Sequence, residues 1–164
     1  MSVNRLYDST VQAFPNTRKR QYATDALKVV SLHWTPFVGL RTMFIKGVVE
    51  SDANVYDTVL LFRDVDYDVE RNSGNVIPLV ATDGMTYHFG KLSPAQNDVL
   101  VRCNCNDFRW RWNYYNHLDG SLWGRKARKY ESKGGPPANP REMPGMCKHL
   151  IKTVSAMYRA GAFS

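Results

Sequence analysis

Residues 99–105 read Val99-Leu100-Val101-Arg102-Cys103-Asn104-Cys105, and residues 147–151 read Cys147-Lys148-His149-Leu150-Ile151. These two stretches hold every cysteine of a 164-residue chain. The first opens on β-formers, which predicts a strand over 99–103 with a cysteine pair at its exit. In extended chain, residues 103 and 105 point to one face. The second starts a three-four stripe of Leu150, Ile151, Val154, Met157 and Tyr158. Pro144-Gly145 stand before it and Gly161 after it, which predicts a helix over 146–160. A thiol pair leaving a strand and a Cys-x-His pair entering a helix can converge. Three Cys and one His are a common structural set for zinc. Cys103, Cys105, Cys147 and His149 are therefore the candidate ligands. Four protein ligands leave no open position for a catalytic water, so the site reads as structural. The metal closes a loop of 41 intervening residues and offsets the entropy of that closure.

Three buried reduced cysteines with an incidental histidine are the competing reading. A disulfide framework is a poor one, because the cysteine count is odd and two of the three are separated by one residue. His117 is the alternative fourth ligand. His33 and His88 fall in β-rich segments and read as packing or surface residues.

Upstream of the first pair the chain is rich in β-formers. Runs at 26–34, 40–49 and 55–63 read as strands, and 51–54 suits a hairpin loop between the second and third. Shorter strands at 76–81 and 85–89 flank Asp83-Gly84, a hairpin turn signal. The expected fold is α+β: an antiparallel β-sheet body with a zinc-stapled C-terminal unit and one C-terminal helix. The expected organisation is an N-terminal arm over 1–25, a β-rich body over 26–98 and a zinc-binding unit over 99–164, in one continuous domain. The stretch 108–115 reads as a helix or a ribbon. Residues 116–146 read as a long loop, unusual in a compact domain unless something pins its ends.

The formal charge is +7, and it is unevenly distributed. Residues 1–100 hold 10 Lys/Arg and 11 Asp/Glu, whereas residues 101–164 hold 12 and 4. Such asymmetry points to an anionic partner for the second part, either nucleic acid or an acidic protein surface. The candidate contact residues are Arg18, Lys19 and Arg20 in the arm, Arg109 and Arg111 among the aromatics, and Arg125, Lys126, Arg128 and Lys129 in the loop. Phe108, Trp110, Trp112, Tyr114 and Tyr115 can stack on bases, or pack around the metal site. The alternating Asp64, Asp66, Asp68 and Glu70 read as a solvated acidic edge, with a calcium site as the weaker alternative. No apolar run is long enough to span a membrane, and no leader is expected. No P-loop, nucleophile elbow, dinucleotide fingerprint or deaminase pattern is present, so no enzyme activity is expected.

The order Cys103-x-Cys105, a gap, then Cys147-x-His149 resembles the SWIM-type zinc finger over roughly residues 99–155, with a longer gap than that family usually shows. The resemblance implies a bound zinc and a role in nucleic-acid binding or protein–protein contact. The pieces CNCNDFRWRW, PPANP and PGMCKHLIKTV, with RKRQYATDALKVV and VYDTVLLFRDV before them, also resemble small virion structural proteins of tailed bacteriophages. That resemblance implies a structural component of the capsid, neck or tail-baseplate. Its partners would be other virion proteins in a symmetric assembly. Its location would be the virion, and the host cytoplasm during assembly. A nucleic-acid-binding zinc protein is the alternative.

Overall fold

The three long β-runs pair as an antiparallel meander: β1 (Leu27–Phe37), β2 (Thr42–Ser51) and β3 (Asn54–Phe62). The computed structural model describes residues 1–17, 26–70 and 73–164. The β2–β3 connection is two residues, Asp52 and Ala53, because Ser51 pairs with Asn54. Further on, β4 (Val76–Val80) and β5 (Thr86–Gly90) form a separate hairpin around Gly84 at φ +80°, a turn conformation suited to glycine. The strand β6 (Val99–Cys103) then adds antiparallel to β3. The sheet order is β1-β2-β3-β6. The fold is α+β, as expected from the sequence.

One face of the sheet carries Met43, Ile45, Val49, Leu60 and Phe62, all buried. Over it lies the C-terminal helix, which is α3 in chain order and spans Lys148–Arg159. Its buried side includes Leu150, Ile151, Val154 and Met157 of the stripe read from the sequence, together with His149, whereas Tyr158, the last residue of that stripe, is nearly half exposed. Gly47 lets it approach closely. A Cβ there would sit 2.5 Å from Thr58 Oγ1 and 2.8 Å from Thr153 Cγ2. The Thr58 and Thr153 hydroxyls hydrogen-bond across this gap at 2.7 Å, and Thr153 also donates to the His149 carbonyl.

The N-terminal segment corrects the expected arm over 1–25. Residues Val3–Ala13 form a helix, α1, with Val3, Leu6, Thr10 and Ala13 buried in the core. The physical reason is an apolar stripe masked by the polar residues around it. Leu6 packs fully, and Thr10 satisfies its hydroxyl by donating to Leu6 O while accepting from Met146 N. Residues 18–25, with Arg18, Lys19 and Arg20, lie outside the described residues.

After Cys105 the aromatic stretch is helical. A π-helical turn, Phe108–Trp112, runs into α2 (Asn113–Asp119), and Gly120 ends it in the left-handed region. The expected loop therefore begins at about residue 120. Its first residues pair with β6: Val101 N donates to Ser121 O, and Trp123 N to Val101 O. Three buried asparagines secure the remainder. Asn113 accepts from Ala127 N, and Asn116 makes both amide bonds to Gly145. Asn139 donates to Arg111 O and Met143 O.

Candidate metal centre

The cysteine pair is placed by strand pairing. Cys103 lies opposite Thr58, on the face covered by α3, and the chain beyond Asn104 turns into the helical run. Asn104 holds that turn by accepting from Asp57 N at 2.9 Å and donating its own N–H to Asp57 O. Cys147 sits at the N-cap of α3, and its carbonyl accepts the first helical bond from Ile151 N. His149 follows inside the first turn.

These elements bring all four expected ligands together. The Sγ atoms of Cys103, Cys105 and Cys147 and a ring nitrogen of His149 lie within 4.8 Å of one another. His149 Nδ1 is the nitrogen facing the thiols, 3.8 Å from Cys103 Sγ and 4.0 Å from Cys147 Sγ. All four residues are buried, none more than 3% exposed. The set is able to hold a metal ion.

The chemistry of the donors fits such an ion. Three thiols and an imidazole packed together in the core have few neutral ways to satisfy one another. A hydrogen bond from Cys103, then one from Cys147, holds the Cys105 thiol far below its usual range. The Cys103 thiol is pushed well up because it supplies the hydrogen bond to Cys105. Burial pushes the Cys147 thiol up. Three sulfurs and a ring nitrogen gathered this closely are a donor set suited to a cation. The amide of Phe108 donates to Cys105 Sγ at 3.3 Å. Cys105 and Cys147 both stand at helix starts, where the peptide dipoles favour negative charge. Metal binding at such a set requires thiolates and releases protons.

Tyr56 completes the pocket. Its ring lies against the imidazole, with centroids 4.3 Å apart and planes at 32°. His149 Nε2 is buried with no hydrogen-bond partner among the described residues. Nothing in the sequence singles out Tyr56 except parity: it shares a strand face with Thr58, the register partner of Cys103.

The other histidines take no part. His117 stands exposed on α2, His33 is exposed on β1, and His88 is half-buried on β5. The acidic run is not a strand edge. Asp64 to Glu70 form an irregular exposed loop, anchored by buried Val65 and by Tyr67, whose hydroxyl donates to Thr42 O. The basic candidates divide. Arg111 is structural: it pairs with Asp107, donates to Ala138 O and lies over the Phe14 ring. Arg109, Arg125, Lys126 and Arg128 are exposed, and Lys129 reaches Glu142 at 3.6 Å. No family model matches this chain, and neither a curated protein nor a solved structure does.

Proposed function

We propose that this chain is a zinc-stabilised protein–protein interaction module that serves as a structural component of a tailed-phage particle. The observation that carries the zinc reading is the closed, buried Cys3His set. Thiolate and imidazole donors in this ratio suit zinc, and zinc–sulfur bonds of about 2.3 Å in a tetrahedron put ligand atoms roughly 3.6–3.8 Å apart. The separations of 3.8 and 4.0 Å between His149 Nδ1 and two sulfurs fall close to that spacing. Cys103, Cys105, Cys147 and His149 would supply the whole coordination shell. Buried as they are, they leave no position for substrate, so the ion fixes structure and the work belongs to the surfaces it holds. The resemblance of several stretches to small virion proteins supplies the particle as the setting.

Elemental analysis of protein purified without added metal tests the first half: one zinc per chain is expected, and none overturns it. Mass spectrometry of purified particles from the source tests the second. Stoichiometric presence is expected, and absence from intact particles overturns the structural role. The rival is nucleic-acid binding, favoured by the exposed Trp110–Tyr130 stack beside the basic loop. It predicts binding of purified protein to oligonucleotide that weakens steeply with salt; no binding at low salt removes it.

A further inference from the structure

Two unlike surfaces stand on opposite sides of the sheet. Beside β1, large apolar side chains face solvent: Leu40 is 75% exposed, Val80 69% and Met85 62%, with Phe37 and Val38 nearly half exposed. Val38 lines two cavities here. A cavity lined by Val38, Tyr67, Val69, Thr86, Tyr87 and His88 joins the β1–β2 turn to the β4–β5 hairpin. A second, lined by Val38, Arg41, Asp66, Tyr67 and Asp68, joins that turn to the acidic loop. Thr82 of the hairpin is bonded to Trp34 O of β1. Asp66 and Asp68 line the second cavity together with Arg41, and Asp64, Glu70 and Asp83 are exposed on the same loop and hairpin, so carboxylates outnumber cations beside these apolar side chains. Exposed apolar surface rimmed by polar groups marks an interaction site.

Beyond β6, at the other end of the strand order, lies the reverse combination. The backbone of 121–123 pairs with β6, and Arg102 Nη1 donates to Arg125 O. From there Arg125, Lys126 and Arg128 project into solvent. Trp110 and Tyr130 stack in the open, centroids 5.7 Å apart, each nearly half exposed. Aromatics and arginine are the residues that protein interfaces favour.

We infer that the acidic apolar surface beside β1 docks onto the basic aromatic surface beyond β6 of a second copy of this chain, head to tail. The inference names the partner in the interaction-module reading and rests on it. Charge complementarity decides between occupants. Nucleic acid on the basic side would leave Leu40, Val80 and Met85 without a role. A second copy accounts for both sides. A contact between two different patches is heterologous, so it propagates to a ring or a filament instead of stopping at a dimer.

Two double variants, all at exposed positions, test it. Leu40→Lys with Met85→Lys puts positive charge on the apolar patch. Lys126→Glu with Arg128→Glu reverses the basic side. Sedimentation velocity and native mass spectrometry are run on the zinc-loaded protein, with circular dichroism and metal content confirming each variant's fold. The wild-type chain is expected to form oligomers that weaken with salt. Each variant alone is expected to be monomeric, its affinity lowered more than about tenfold by like charge. Mixed, the two are expected to give a dimer of one copy of each, since one live surface remains on each chain. Three results overturn the inference: a wild-type chain that stays monomeric, variants that still self-associate, or a mixture that does not pair. A monomeric chain that keeps its zinc, and whose binding to single-stranded oligonucleotide is lost in Lys126→Glu with Arg128→Glu, assigns the basic surface to nucleic acid. The metal content is read separately, so failure of the docking and failure of the zinc module are distinguishable.

Discussion

At the scale of single residues, the four candidate ligands are not interchangeable with their neighbours. Cys147 combines three roles: a sulfur in the cluster, the N-cap of α3 and complete burial. Cys147→Ser is expected to lose the metal and unfold at least residues 103–160, read by elemental analysis and hydrogen exchange. A variant that keeps both metal and stability would show that the ligand set is wrong. His149→Ala is expected to weaken metal binding and His33→Ala to leave it unchanged, measured by competition with a chromophoric chelator. Equal loss from both would place the site elsewhere. Gly47→Ala tests packing beneath the cluster instead of ligation. Its Cβ would press on Thr58 and Thr153, the pair that seats α3, and overpacking of this kind costs about 1–3 kcal/mol. A denaturant midpoint equal to wild type would mean that the helix shifts freely.

At the scale of elements, strands and the last helix were legible in the sequence because their patterns are local. The run 99–103 is a strand to the residue, and the expected helix over 146–160 is Lys148–Arg159. The Cys103, Cys105, Cys147 and His149 set was legible for the same reason: these are rare residues in a short pattern, and the structure brings them together. What was hidden depends on distant partners. The face of α1 makes sense only against Pro144–Met146, which its Ser9 and Thr10 hydroxyls bind. Asn116 and Asn139 fall in the stretch read as a long loop and Asn113 in the one read as a helix or a ribbon, yet each is a buried bracket for backbone far along the chain. Asn116→Ala would strand the buried N–H and C=O of Gly145, each worth about 1–3 kcal/mol. A thermal melt should show a clear loss of stability for this variant. An unchanged melting temperature would mean that the loop finds other partners.

At the scale of the whole molecule, the zinc site, if filled as proposed, competes with the total stability of the fold. Structural zinc contributes about 10–16 kcal/mol in small peptides, and whole domains are stable by about 5–15 kcal/mol. Chelated protein is therefore expected to melt far below the zinc-bound form, and not merely to loosen near residue 147. Calorimetry with and without chelator reads this. Equal melting temperatures would mean that the core of the two helices and the sheet holds without the ion.

The burial of the four candidate ligands also has a consequence in time. No chelator or competing ion can touch sulfurs and a ring nitrogen that are at most 3% exposed while the chain is closed. If the site holds zinc as proposed, exchange of that ion for an isotopically labelled one must wait until β6 and the start of α3 part. The turnover of the label then becomes a clock for that opening, and it should stop depending on chelator concentration once every opening leads to release.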